Sequence, residues 1–382
     1  MLEERGRMMK TRREFVQMAG ALGALSLSGC KLWEGRGASD YSVAILGDTH
    51  YDTAPESVYH SHYDESNRWA KIQHEEFRRN GEMWRERCPK MLQASARLAA
   101  ELPTDFILQT GDIIQGDCDD VATHQKMLAD CIRLLRAPYP KGLPFLTVVG
   151  NHDFRGKGAW DAYFQFAEPF LSKELGVTVK YPAFSFRHGP DLWVFCNFED
   201  RNLKAIVELI EADPAARHVF LVTHGPFTCP DANSHKWRLG GARECDAQRP
   251  LLYRTLSRRH AIVISGHTHT VACYRHENEF GGFSEFTCNS VWKADALATA
   301  KPVCEGPAQY GARRLAEKKG DKLAEFKRDL DFFRPGLKDY FYNDGAGHFR
   351  LNVTDGHVEM AFYPGDALVP GKTFTLAATA QC

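Results

Sequence analysis

The chain has 382 residues, 43% of them hydrophobic and 25% charged, values of an ordinary globular protein with one large core or two smaller ones. Its formal net charge is −1, and residues 1–30 carry five basic against three acidic side chains, which leaves −3 for the remainder. That balance excludes a polycation and gives no sign of bulk attraction to nucleic acid.

The first element in chain order is a targeting segment. Arg12-Arg13 precede a mildly apolar stretch, Met18 to Gly29. This stretch is shorter than the ~20 apolar residues that span a bilayer and contains Gly and Ser, so it reads as a cleavable export signal. The pattern resembles twin-arginine signals, which implies export of the already folded chain by the twin-arginine machinery. Leu27-Ser28-Gly29-Cys30 resembles the lipobox of bacterial lipoproteins. That resemblance implies an acylated Cys30 as mature N-terminus, holding the protein to the periplasmic or cell-surface face of a bacterial membrane. Met8 and Met9 are alternative starts, because Met9-Lys10-Thr11-Arg12-Arg13 already forms a complete basic region.

Residues 31–40 form a Gly- and Ser-containing tether. Beyond it, short apolar runs alternate with helical patterns. The runs are Val43–Leu46, Phe106–Gln109, Phe145–Val149, Leu192–Cys196, Val219–Val222 and Ile262–Ile264. Nearly continuous apolar runs of this length predict strands buried on both faces. Met91–Leu102, Val121–Arg136, Leu203–Ala212 and Leu251–Arg259 predict helices, with Asp119 and Asp120 where the second needs its N-cap. The alternation predicts a layered α/β domain over residues 41–364. Insertions are expected at about 51–89, rich in His, Tyr and Trp, and at 301–342, with a helix showing Leu323, Phe326, Leu330 and Phe333 on one face. His348–Val353 and His357–Phe362, joined through Asp355-Gly356, predict a hairpin, and residues 365–382 a tail. Of eleven cysteines, ten remain without Cys30 and none makes a Cys-x-x-Cys pair, which argues against a zinc ribbon. Disulfides and small buried apolar residues are both open readings for them.

Five polar motifs each follow a predicted strand: Gly47-Asp48-Thr49-His50, Gly111-Asp112, Gly150-Asn151-His152-Asp153, Thr223-His224-Gly225-Pro226 and Gly266-His267-Thr268-His269. Ligands of open α/β sheets bind beyond the carboxyl ends of strands, so these tips converge on one mouth. Asp48 with His50, and His267 with His269, are two apart and point the same way in extended chain. Carboxylate and imidazole donors suit Mn, Fe, Zn or Co. Asp-x-His or Gly-Asp alone is a weak signal, whereas all five in this order are a strong one.

The set Asp-x-His, Gly-Asp, Gly-Asn-His-Asp, His, Gly-His-x-His resembles the calcineurin-like metallophosphoesterase superfamily, over about residues 41–290 and the closing strands. The resemblance implies a fold of two packed mixed β-sheets flanked by helices. It implies two divalent or trivalent transition-metal ions, the first held by Asp48, His50, Asp112 and His269, the second by Asp112, Asn151, His224 and His267. It further implies hydrolysis of a small-molecule phosphomonoester or phosphodiester by a metal-bridging hydroxide. His152 would be the leaving-group acid and Asp153 would orient it. Purple acid phosphatases of the superfamily have tyrosine three residues after the bridging aspartate. Gln115 stands there, so no iron–tyrosinate centre is expected, and the Asp or Asn of several cyclic-nucleotide phosphodiesterases is not matched either. Two rival readings are a non-catalytic interaction scaffold of the same fold and a nuclease of the superfamily. All seven ligands and His152 are present, which opposes the first. The export signal and mildly acidic chain oppose the second.

Other residues carry plainer readings. Arg155 is either a phosphate contact or a surface arginine. Asp117, Asp119 and Asp120 read as a loop and helix cap, and His60, His62 and His74 as solvated or rim residues. His235 and Trp237 read as structural residues, with a place on the pocket rim as the alternative. Tyr51, Tyr59, Tyr63 and Trp69 either offer faces on which a base or sugar would stack, if the first insertion borders the pocket, or pack that insertion onto the core.

Overall fold

The computed structural model describes residues 39–53, 59–60, 68–200, 202–228, 237–290 and 298–378. Residues 1–38 with Arg12, Arg13 and Cys30, together with His62, Tyr63 and His235, lie outside the described residues, as does the side chain of Trp69.

Fourteen strands among the described residues form two mixed sheets. They are β1 (Tyr41–Leu46), β2 (Phe106–Gln109), β3 (Phe145–Thr147), β4 (Ala183–His188), β5 (Asp191–Cys196), β6 (Val219–Thr223), β7 (Ile262–Ser265), β8 (Val271–Asn278), β9 (Gly281–Thr287), β10 (Cys304–Glu305), β11 (Leu337–Asn343), β12 (Gly347–Val353), β13 (His357–Pro364) and β14 (Lys372–Ala378). One sheet has the order β14-β13-β12-β1-β2-β3, the other β10-β11-β8-β9-β7-β6-β5-β4. Parallel pairing joins β1 to β2 and β2 to β3 in the first, and β5, β6, β7 and β9 in the second. The helices are α1 (Arg68–Glu86), α2 (Cys88–Glu101), α3 (Val121–Arg136), α4 (Ala159–Leu175), α5 (Leu203–Glu211), α6 (Arg249–Arg258), α7 (Ala312–Glu317) and α8 (Gly320–Phe333).

The apolar runs are continuous because alternate residues of each strand serve different cores. Val43, Ile45, Phe106 and Leu108 meet Trp193, Phe195, Phe220, Val222, Ile262 and Ile264 between the sheets. Ala44, Leu46 and Ile107 face Met91, Leu92, Leu128 and Cys131 on α2 and α3. Leu192, Val194, Leu221 and Val263 face Ile206, Leu252, Phe326 and Phe333 on α5, α6 and α8. Each such fully buried aliphatic or aromatic side chain is worth about 1.5–3 kcal/mol. The result is the α/β architecture of two packed mixed sheets flanked by helices.

Two sequence expectations need adjustment. Residues 301–342 do more than decorate the domain: β11 lies inside the second sheet, between β10 and β8. Its exposed Lys338 and Asp339 break the apolar run that marks the other strands. The expected tail contains β14, which pairs with β13 and buries Phe374 and Leu376. Of the two readings of Tyr51 and Tyr59, packing is the one observed: they are only 4% and 2% exposed, Tyr51 packs edge-on against Trp84 of α1, and the Tyr59 hydroxyl donates to Asp130 of α3. They fasten the first insertion to the core. Cys88, Cys118, Cys131, Cys196, Cys273 and Cys288 are buried free thiols.

Candidate metal centre

Every motif residue sits at the carboxyl end of its strand, after β1, β2, β3, β6 and β7. The loops leaving β1 and β2 interlock, with the Thr49 and His50 amides donating to the Asp112 carbonyl at 3.0 and 2.8 Å. Four of the seven candidate ligands, His50, Asp112, His267 and His269, have φ between 40° and 69°. Non-glycine residues in this left-handed region cost of order 1–3 kcal/mol and cluster at functional sites. The glycines of the motifs answer to close approach. A Cβ on Gly150 would lie 2.1 Å from an Asp112 carboxylate oxygen, and one on Gly266 would lie 2.2 Å from an Asp48 carboxylate oxygen. Only glycine lets these ligands into place.

The side chains gather in two groups that share Asp112. In the first, His50 Nε2 lies 3.0 Å from His269 Nε2, and His269 Nε2 lies 3.1 Å from Asp48 Oδ2. In the second, His224 Nε2 lies 3.0 Å from His267 Nδ1 and 3.2 Å from Asn151 Oδ1. Asp112 Oδ2 stands between the groups, 3.5 Å from His50 Nε2 and 3.1 Å from His224 Nε2. Donors each about 2.0–2.1 Å from one ion, at angles of roughly 90–110°, lie about 2.8–3.4 Å apart. The donor atoms of each group therefore fit a shared transition-metal cation, with Asp112 serving both. His267 is 8% exposed, and its Nδ1 faces the group.

The ligands are held by residues behind them. His224 Nδ1 donates to the Thr110 carbonyl at 2.8 Å, which frees Nε2. His50 Nδ1 lies 3.2 Å from Gln115 Oε1, and that oxygen also accepts from Asn80 Nδ2 at 2.6 Å, while Gln115 Nε2 donates to Glu76 at 3.1 Å. Gln115, which matches neither tyrosine nor Asp/Asn in the sequence comparison, is thus what orients His50, and α1 in turn fixes Gln115. Sequence reasoning missed this trio, because Asn80 and Glu76 come from an insertion without a motif. It also missed Glu285, buried on β9, which accepts from the Phe227 and Thr228 amides at 2.6 and 2.8 Å and from the Thr228 hydroxyl, pinning the loop that leaves His224. Gln115→Ala is expected to weaken metal binding at the His50 group by about 10–100-fold, measured by competition with a chelator, with the protein still folded.

Charge in the site follows burial and proximity. Burial first, then neighbouring imidazoles, holds His50 and His267 well below the ordinary histidine value, so both are neutral donors. Burial opposes the Asp112 charge, but His224, His152 and His50 keep its carboxyl well below the usual carboxylate range. Burial likewise opposes a charged His224, yet Asp112 and Asp48 raise it to about 9. Its proton must leave when a cation is bound.

His152 stands beside His50, ring centroids 4.3 Å apart, and within ligand reach of His50 and Asp112. Its Nδ1 lies 3.1 Å from the Gln115 carbonyl, and its amide donates to Asp112 Oδ1 at 2.7 Å. Arg155 Nη1 lies 3.0 and 3.1 Å from the two ring nitrogens, so the guanidinium rests across the ring. A cation there disfavours a second one on the same imidazole, which sets His152 apart from the ligands. Arg155 is itself paired with Asp117 at 2.6 Å and Glu76 at 3.5 Å. Asp153 is not on the His152 ring: its carboxylate accepts from the Gly150 amide at 2.8 Å and the Ile114 amide at 3.3 Å, tying the β3 loop to the β2 loop. Burial, then Asp112, raises it to about 8. Asp120 caps α3 by accepting from the Thr123 amide. His60, expected to be solvated or at the rim, is enclosed, with its Nε2 3.0 Å from Asp52 Oδ2 and its ring stacked on Phe77.

The comparisons with known proteins agree with this geometry. No curated protein matches the sequence. Among solved structures, the chain is similar to PhoD, with 11% identity, 89% of this chain and 69% of that one covered, and a TM-score of 0.50. It is also similar to a purple acid phosphatase from yellow lupin (Lupinus luteus) seeds, with 12% identity, a TM-score of 0.50, and 90% of this chain against 55% of the lupin chain. At these identities the likeness is one of fold. A family model, calcineurin-like phosphoesterase, matches residues 41–271, which hold all five motifs. The chain belongs to the calcineurin-like phosphoesterase family.

Proposed function

We propose that the protein is a two-metal hydrolase of small phosphomonoesters or phosphodiesters. One observation carries the reading: two groups of neutral and anionic donors share the single carboxylate oxygen of Asp112. Bound there, the metals would stabilise charge on phosphoryl oxygens and lower the pKa of a water between them. Asp48, His50, Asp112 and His269 hold one site, and Asp112, Asn151, His224 and His267 the other. His152 serves the leaving oxygen. Burial first, then the Arg155 charge, lowers it to about 3, so it is neutral in the resting site. A phosphoryl anion beside it favours the imidazolium, the form that protonates a leaving group. Arg155, taken up by Asp117 and Glu76, holds the His152 ring rather than the phosphate. Assay of the chain without residues 1–30 against mono- and diesters with several divalent metals tests the reading; hydrolysis absent under every metal would defeat it.

We propose also that the protein is exported and lipid-anchored through Cys30. The support is Arg12-Arg13, the lipobox-like Leu27–Cys30 and the buried thiols of Cys88, Cys118, Cys131, Cys196, Cys273 and Cys288, which suit a chain folded before it meets an oxidising compartment. No helix among the described residues is long and apolar enough to cross a membrane. Lysine at both Arg12 and Arg13 is expected to strand the precursor in the cytoplasm, and Cys30→Ala to abolish incorporation of labelled fatty acid. A mature, unlipidated N-terminus upstream of Cys30 would refute this.

A further inference from the structure

Among the exposed large apolar side chains of the described residues, Trp237 is the one whose ring packs on a candidate metal ligand. It is 42% exposed, and its centroid lies 4.9 Å from that of His267 at 62°. The His267 ring also meets Phe198, 6% exposed and 5.3 Å away. Phe198 is ordinary packing behind a ligand. Trp237 is not, because a half-exposed indole leaves apolar surface in water that a polar residue would not.

The indole is held in that position. The next residue, Arg238, is 5% exposed, pairs with Asp329 of α8 at 2.5 Å and lies over the Phe333 ring. The Leu239 amide donates to the Pro226 carbonyl at 2.9 Å, and Arg249 donates twice to the Gly240 carbonyl. On the other side of residues 229–236, Glu285 and the Tyr310 hydroxyl fix Thr228. A buried ion pair and several backbone bonds therefore anchor an exposed aromatic ring beside the His267 group. His152 stands beside the His50 group. Trp237 and His152 thus flank different halves of the centre.

We infer that Trp237 is a specificity-determining residue, an aromatic plane on which a planar ring of the phosphate ester stacks while its phosphoryl group occupies the centre. This rests on the phosphoester reading above. The substrate class it selects is a phosphate ester carrying a nucleobase or aryl ring, in place of a purely aliphatic one. The role falls to Trp237 rather than to Tyr51 or Tyr59, whose rings are buried in the core.

The test uses manganese-loaded enzyme turning over a nitrophenyl phosphate ester, with adenosine monophosphate, ribose phosphate and inorganic phosphate as competitors. The first two differ only in the base. In the wild type, adenosine monophosphate is expected to inhibit at a concentration roughly tenfold or more below ribose phosphate, the factor a base–aromatic stack supplies. Trp237→Ala should bring the two together, and Trp237→Phe should keep most of the difference. Inhibition by ribose phosphate and inorganic phosphate should stay within about twofold in all three proteins. Metal content measured in each variant verifies an intact centre. An advantage for adenosine monophosphate that survives Trp237→Ala, or none in the wild type, would overturn the inference while leaving the hydrolase reading in place. Failure of the wild type to hydrolyse any ester would overturn the hydrolase reading itself, and this inference with it.

Discussion

Asp112→Ala is expected to yield a folded protein with both metal sites depleted and ester hydrolysis reduced by roughly 10³-fold or more, the several kcal/mol that metal stabilisation of the phosphoryl charge supplies. The reason is geometric. One oxygen of Asp112 faces both histidine groups. Folding should survive because the Asp112 carbonyl, not its side chain, receives the Thr49 and His50 amides. His224 also loses the neighbour that does most to raise it, so it sheds its proton instead of standing charged and unpaired. Asp112→Asn is the companion variant. Asparagine tolerates the left-handed backbone found here at φ 51° and can still accept from the His152 amide, but it carries no charge. Both variants should lose both metals by elemental analysis. Full occupancy of either site in Asp112→Ala would remove Asp112 as the shared ligand.

His152→Ala is expected to keep its metals and lose about 10²–10⁴ in rate, the usual contribution of a positioned acid. The ring is held by Gln115 and Arg155, and its loop is fixed independently by the His152 amide and by Asp153, so truncation should leave the ligands in place. The diagnostic is the leaving group. An alkyl ester, whose oxygen needs a proton, should suffer the full loss, and a nitrophenyl ester much less. Equal losses on both esters would assign His152 to positioning alone.

The parts legible in the sequence were those in which one segment carries its own signal. β1, β2, β5, β6 and β7 are apolar at every turn because both faces are covered, and their polar tips interrupt them abruptly. α3 starts at Val121 and ends at Arg136, as the Asp120 cap and apolar spacing indicate. The strands that escaped lack this contrast. β4 is half-buried on one face and ends in Arg187-His188, and β8 runs into exposed Arg275 and Glu277. Within α4, Pro169 breaks the expected pattern. In the site, the ligands are marked by glycines that let them approach one another, whereas the residues behind them are not marked at all. Gln115 meets Asn80 and Glu76 across 35 and 39 residues, and Glu285 meets Phe227 across 58. No local pattern encodes such contacts. Trp237, open in the sequence between a structural residue and a pocket rim, is placed on His267 only by the folded chain.

The most direct test of the two-metal centre is elemental analysis of the purified protein, joined to a chelation and reconstitution series. Two equivalents of transition metal per chain are expected, with hydrolysis lost on chelation and regained only as the second equivalent is restored. One equivalent at full activity, or activity that persists in metal-free protein, would contradict the account.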